Sequence, residues 1–290
     1  MIAIPFLMGA AAGVGAYALG ASAFLTMAAF TVGSMLGNYL FPTKMNVQKM
    51  KPASLSDFSY NQANEGAPVP LVYGTVKIAG NIIWYGNLVT EEQKQHVSGG
   101  KGGGGQDVTV GYKYYIDIWI SLCMGQVTIL DTYNNEKKEA LTYDSTIFND
   151  GTGSTYPTEP GQYASAISGV AHIFYKKLYV GISPTLPTIN YVLKRTLPND
   201  ISYANLASGS NPAAVVYDIL TNQLSIPQTE IDINSFNTAA TTYYNDGLGI
   251  NLAITTQKKG LDLIKYVMQF VNSVCYKDEI TGLYTIKVLE

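Results

Sequence analysis

The sequence predicts an α+β chain, mainly β, preceded by a hydrophobic helical segment, and three observations carry that prediction. Residues 66–86 place two prolines on either side of Val69, then run β-branched and aromatic residues from Thr75 to Tyr85 between Gly74, Gly80 and Gly86. Twenty-two tyrosines stand against nine phenylalanines, and charged residues make up 13% of the chain, half the roughly 25% of ordinary soluble domains. Such side chains pack with the ring and hydrogen-bond with the tip, as strands and interfaces require. Helical periodicity, finally, is confined to residues after 198 and to a first stretch that carries no charge before Lys44.

That first stretch, residues 1–43, is glycine, alanine and larger apolar residues, with Gly9, Gly13, Gly33 and Gly37 in two GxxxG spacings that let helices approach closely. A bilayer core of about 30 Å asks for roughly 20 apolar residues per helix, so its length fits one span or a short helical hairpin. It fits equally a helix or helix pair enclosed by neighbouring subunits. Nothing basic precedes the run, which argues against a cleaved signal peptide. Phe41-Pro42 ends it, because proline disfavours helix in the residue before it. Lys44, Lys49 and Lys51 follow, and residues 44–65, polar and carrying Pro52, Asn61 and Asn64, read as a linker.

A β-rich unit is predicted over residues 66–197. Pro68 and Pro70 cannot donate a ladder hydrogen bond, so they belong at an edge or strand entry, and Gly74, Gly80 and Gly86 mark turns or bulges. Residues 89–108, charged and then glycine-rich, read as the tip of a hairpin. Val108 to Met124 resumes a strand with Tyr112, Tyr114, Ile116, Ile118 and Ile120 on one face and Tyr115 and Trp119 on the other, so both faces are expected to be covered. Residues 126–133 and 139–143 read as a hairpin turning at Asn134-Asn135. Strands recur, after a loop at Asp150-Gly151, at His172 to Val180 and Ile189 to Leu197.

Residues 198–290 read as an α+β unit. Asn211 supplies a helix N-cap and Pro212 a first-turn proline, followed by the apolar stripe Val215, Val216, Ile219 and Leu220. A second helix is predicted from Asp232 to Tyr244, stopped by Asp246-Gly247, then a short strand from Ile250 to Thr255. A third is predicted over 258–275 on the spacing of Leu261, Ile264, Met268, Val271 and Cys275. A hairpin with its turn at Asp278 to Gly282 closes the chain, and its second strand, Leu283 to Leu289, stops abruptly enough to suggest an incomplete unit.

The chemistry-bearing residues are sparse. Net charge is −3, which gives no electrostatic footprint for nucleic acid. Lys101 in the glycine run lacks the glycine and hydroxyl positions of a phosphate loop, and His96, Cys123, His172 and Cys275 are scattered rather than spaced as metal ligands. The two cysteines suit small buried hydrophobes better than a disulfide framework. With two histidines, one of them inside an apolar strand, no nucleophile and base pair stands out, and Glu91-Glu92 point apart on a strand. The sequence nominates no catalytic residue, metal ligand or cofactor.

Several blocks, taken in order, carry a resemblance. They are Met35-Leu-Gly-Asn-Tyr-Leu-Phe-Pro-Thr-Lys44, Gly66-Ala-Pro-Val-Pro-Leu-Val-Tyr-Gly74, Val76-Lys-Ile-Ala-Gly-Asn-Ile-Ile-Trp84, the glycine run from Ser98 to Gly105, the aromatic strand Tyr112 to Gly125, Ser168 to Gly181, Leu186 to Arg195, and Asn211 to Asn222 with Glu230 to Phe236. The chain resembles the central tail-tip or baseplate-hub proteins of long-tailed bacteriophages and gene transfer agents. The resemblance implies a structural virion protein, usually a homotrimer, of β-barrel-like hub domains with inserted helices. Such a protein closes the distal end of the tail tube and takes part in host attachment and DNA delivery. It implies a distal tail protein and a tape-measure protein as neighbours, and no catalytic residues. Family members generally continue into further domains. The role of residues 1–43 does not follow from the resemblance; entry into the host membrane is one expectation for them. The tyrosine-rich, low-charge strands fit a membrane-anchored surface or secretion-system component as well; a third class, a peptidoglycan-cleaving tail enzyme, would be marked by cell-wall activity lost on a single carboxylate change.

Overall fold

The computed structural model describes residues 51–58, 68–97, 106–153, 156–158 and 168–289. The apolar segment 1–43, most of the linker and the glycine run lie outside the described residues. The chain divides into two units, one of residues 1–52 and 90–113, the other of residues 53–89 and 114–290.

In the larger unit a short 3-10 turn, Leu55–Asp57, is closed by a reciprocal cap in which the Asp57 carboxylate accepts from the Ser54 backbone N–H at 2.7 Å. Phe58 beyond it is buried edge-on against Tyr114, 5.7 Å between ring centres.

The strand segment read from the sequence resolves into β1 (Leu71–Tyr73), β2 (Thr75–Ala79) and β3 (Asn81–Val97). Two glycines divide it. Gly74 has φ +67°, and a Cβ there would stand 2.5 Å from the Ile250 carbonyl oxygen; a Cβ on Gly80 would overlap the Ile120 side chain. The glycines are therefore corners at which the chain changes sheets, a geometry closed to residues with a side chain. Pro70 precedes β1 and its carbonyl accepts from Met124 N–H at 2.8 Å, so the proline sits at strand entry as predicted.

One sheet has six strands. Its path runs β12 (Leu252–Ile254), β1, β4 (Gln106–Met124), β8 (Val170–Gly181) and β7 (Ser145–Asn149), with β3 also paired to β4. The second sheet runs β2, β9 (Ile189–Arg195), β5 (Val127–Asn134) and β6 (Lys137–Lys138), and β10 (Asn205–Leu206) pairs with β11 (Gly209–Ser210) in a small hairpin. Tyr191 of β9 and Tyr175 of β8 meet through their hydroxyls at 3.3 Å, and both are buried. The mainly β expectation holds. The barrel expectation does not: neither sheet path closes on itself among the described residues, because the glycine corners hand the chain between two open sheets.

The covered strand is β4, buried on both faces from Ile116 to Cys123. Strict alternation fails along it, because its pairing with β8 shifts register three times. At one shift Lys177 takes φ +52°, and its N–H donates to the buried Asp117 carboxylate at 2.7 Å; the other Asp117 oxygen accepts from Asn87, itself at φ +51°, at 2.8 Å. One buried carboxylate on the central strand thus holds irregularities in both flanking strands.

Two expectations on local structure are corrected. The first hairpin turns at Asn135-Glu136, both at positive φ, one residue later than predicted, and its second strand is only Lys137–Lys138. The chain then leaves β5 because Asp144 N–H and the Thr142 carbonyl bond to the β8 backbone, which recruits 145–149 as β7. The third helix is shorter than its apolar spacing suggested. It spans Gly260–Phe270 and ends at Asn272 in the left-handed region, so Cys275 belongs to β13 (Ser273–Lys277) and Leu261 is exposed.

The other helices match. We number the α-helices among the described residues α1 to α3. The first, α1 (Pro212–Asp218), is capped by Asn211, whose side chain accepts from Ala213 N–H at 3.0 Å, and is buried all round. The second, α2 (Ile233–Asn245), is capped by Asp232 and buries Phe236, Ala239, Ala240 and Tyr243. The third, α3 (Gly260–Phe270), buries Leu263, Ile264, Val267 and Met268. The last hairpin pairs β13 with β14 (Tyr284–Val288) around an Asp278 carboxylate that accepts from Ile280 and Thr281 N–H.

Candidate functional site

The polar centre of the larger unit is structural. Asp218 at the end of α1 accepts from the Tyr73 hydroxyl at 2.6 Å on one oxygen, and from Arg195 Nη2 at 3.2 Å and Asn222 Nδ2 at 2.9 Å on the other. Arg195 also donates to the Val72 carbonyl at 3.3 Å, and its guanidinium lies 5.0 Å over the Tyr73 ring. Gly125 leaves room for it, since a Cβ there would stand 3.0 Å from Arg195 Nε. Burial first, then the neighbouring Asp218 charge, holds the Tyr73 phenol far above its ordinary pKa. Asp218, which the sequence placed in an ordinary helix context, is the junction between β1, β9 and α1.

The remaining candidates for chemistry are dispersed. Burial pushes the Cys123 thiol up to about 12 and the Cys275 thiol up to about 11, so neither is a thiolate near neutral pH. His172 is fully buried, with Nδ1 3.1 Å from the Val170 carbonyl, edge-on to Trp119 and stacked on Tyr156. Asp131 pairs with Lys138 across the first hairpin, and Asp144 with Lys177. Among the described residues no three His, Cys, Asp or Glu side chains gather closely enough to hold a metal ion. A crevice of about 260 Å³ opens beside Asn135, Ile182 and Leu186, smaller than ordinary ligand sites of roughly 300–1,000 Å³. Gly9, Gly13, Gly33 and Gly37 lie outside the described residues.

Among the described residues, the β3–β4 ribbon is the candidate surface for contact with another molecule. The pairing of β4 with β8 begins at Tyr114, and β3 pairs with no strand but β4 among the described residues. Residues 90–97 and 106–113 therefore form a two-stranded ribbon, roughly 25 Å long at strand rise, with neither outer edge paired to a further described strand. The charged stretch read as a hairpin tip is thus strand as far as Val97 and again from Gln106. Its two strands are joined by His96 Nδ1 and Asp107 at 2.8 Å and by Thr109 donating to Glu92 at 3.4 Å, exposed contacts that contribute little stability. Val110 on β4 is 49% exposed, and Val89 and Ile83 on β3 are exposed as well. A two-stranded ribbon is marginal alone in water, and its open edges are templates for another strand. Unpatterned polar residues hid it, since 91–96 alternate in neither hydrophobicity nor size.

No protein-family model matches the chain, and no curated protein matches it. Among solved structures, a chain from the virion of a native gene transfer agent (GTA) particle is similar, with a TM-score of 0.51 and 15% sequence identity. The likeness covers 92% of this chain and 65% of that one, so the chain spans somewhat less than two thirds of that neighbour's length. At this identity the likeness is one of fold.

Proposed function

We propose that the chain is a structural virion protein that assembles with itself, as a homotrimer, into the tail-tip or baseplate hub closing the distal end of a tail tube. The observation that carries the reading is the β3–β4 ribbon of residues 90–97 and 106–113: a strand pair with an exposed Val110, whose outer edges pair with no further described strand, suits a subunit completed by its neighbours. The fold likeness to a chain of a gene transfer agent virion and the ordered sequence blocks support the same reading. The partners in this reading are two further copies, a distal tail protein and a tape-measure protein, and the activities are host attachment and DNA delivery rather than catalysis. In this reading residues 66–197 serve as a β-rich hub domain and residues 198–290 as an α+β hub domain. Residues 1–43 would pack through Gly9, Gly13, Gly33 and Gly37 from three copies near the tail axis, and enter the host membrane as DNA passes.

Mass photometry of the full chain tests the assembly. Trimers are expected, and Val89→Lys with Val110→Lys should shift them toward monomers without lowering the thermal midpoint, because charge on an edge discourages pairing. A chain that stays monomeric at micromolar concentration, or trimers indifferent to both substitutions, would overturn the ribbon as the assembly surface. Liposome flotation of a peptide covering residues 1–45 tests membrane entry separately; a peptide that stays with the aqueous fraction removes that part and leaves the hub.

A further inference from the structure

Four buried side-chain polar atoms find no hydrogen-bond partner among the described residues, and three belong to neighbours on one sheet face: Trp119 Nε1, Ser121 Oγ and His172 Nε2. Trp119 and Ser121 are two positions apart on β4, which places them on the same face, and Ser121 stands opposite His172 in the pairing of β4 with β8. The Trp119 and His172 rings meet edge-on at 5.4 Å, and Tyr156 stacks on the imidazole, also at 5.4 Å. All three groups are enclosed, with exposures of 1%, 4% and 0% for Trp119, Ser121 and His172. Buried polar groups of this kind are nearly always satisfied in native proteins, by protein or by ordered water.

The chemistry of the three atoms is complementary. The Val170 carbonyl can only accept, so the proton it receives at 3.1 Å is on His172 Nδ1, and in the neutral imidazole Nε2 then carries a lone pair. The Trp119 indole can only donate, and the Ser121 hydroxyl does either. A ligand that satisfies all three must donate and accept and must fit between packed aromatic rings. An apolar guest fails the first condition. A metal cation fails it too, since the indole offers no lone pair and the set holds no carboxylate.

We propose that Trp119, Ser121 and His172 form an internal hydration site that holds one ordered water. The water accepts from Trp119 Nε1–H, donates to His172 Nε2 and shares a hydrogen bond with Ser121 Oγ. Tyr156, stacked on the imidazole at 5.4 Å, forms part of the enclosure of the site. The site is a small polar anchor in the face of the central sheet, and it accounts for a serine and a histidine between Trp119, Phe174 and Ile173.

The test is the contact between water and the Trp119 indole proton, read by nuclear magnetic resonance on the full chain, with Trp84→Phe distinguishing the two indoles. Exchange of that proton should be slowed by at least about tenfold relative to an exposed indole. It should also show a water cross-peak with the sign of a long-lived bound molecule. Ser121→Val, which places a methyl group where the hydroxyl was, should abolish the cross-peak, and His172→Phe should do the same by an independent route. A protected indole with no water cross-peak in the unsubstituted chain would overturn the proposal whatever the variants do. A cross-peak unchanged in both variants would also overturn it, because the water would then be held by other groups.

Discussion

Removing the Asp218 carboxylate while leaving Arg195 in place should be among the most damaging single changes to the larger unit. The Asp218 side chain is 4% exposed and that of Arg195 9%, so Asp218→Ala leaves a guanidinium with no counter-charge and little water. It also removes the acceptor of the Tyr73 hydroxyl at 2.6 Å and of Asn222 at 2.9 Å. Breaking one side of a buried pair costs about 3–5 kcal/mol. The lost Tyr73 bond overlaps with that figure rather than adding to it, because both share the same carboxylate. Against a typical total of about 5–15 kcal/mol this is a large fraction, and the urea midpoint should fall steeply. The informative comparison is the double variant Arg195→Met with Asp218→Leu, which removes both charges and fills the space. Replacing a whole buried pair by apolar groups is often neutral or better, so the double variant should recover most of the loss. Urea unfolding followed by tryptophan fluorescence and near-ultraviolet circular dichroism measures all three proteins. If Asp218→Ala cost less than about 1 kcal/mol, or the double variant were as unstable as the single one, the pair would not hold the junction in the way argued.

Stability should fall with alkaline pH. Burial raises the phenols of Tyr73, Tyr175, Tyr191 and Tyr243 above their ordinary value, that of Tyr175 to about 12. A raised folded pKa means that the unfolded chain loses its proton first. The contribution is therefore intact below pH of about 10 and is lost as pH rises toward the folded value, at about 1 kcal/mol per pH unit for each group. Urea midpoints at pH 8, 10 and 11 should decline, with a shallower decline in Tyr73→Phe; a flat profile would contradict the burial of these phenols. Gly74→Ala and Gly169→Ala form a matched pair, since both have positive φ but only Gly74 has backbone in the way. The first should cost at least about 2 kcal/mol and the second about 1 kcal/mol in chemical unfolding, and equal costs would refute the corner argument. Asp117→Ala should destabilise by about 2–3 kcal/mol by freeing the Lys177 and Asn87 irregularities. Hydrogen exchange at the Lys177 amide should accelerate in step, and an unchanged amide would show that the carboxylate does not hold the bulge.

Features that depend on a few adjacent residues were legible in the chain. Asn211-Pro212 and Asp232 start helices because a cap needs one side-chain oxygen beside free N–H groups. Pro70 marks a strand entry and Gly74 a turn because backbone sterics act locally, and the Asp278 to Gly282 turn closes on its own carboxylate. The mainly β character followed from tyrosine, valine and isoleucine in the same way. Pairing between distant segments left no such trace. Whether 139–143 or 145–149 became a strand was decided by the free backbone groups of β8, and whether Cys275 ended a helix or entered a strand was decided by β14. The same holds for the sites. Asp117, Asp218 and Arg195 look like isolated charges in the chain, and they acquire roles only because segments up to 145 residues apart bring Tyr73 and Asp218 within 2.6 Å. The sheet corners, the ribbon that extends beyond the β4–β8 pairing and the enclosure of His172 likewise belong to the tertiary structure. Local propensity is a property of neighbours in sequence, whereas burial, register and desolvation arise only where remote segments exclude water together.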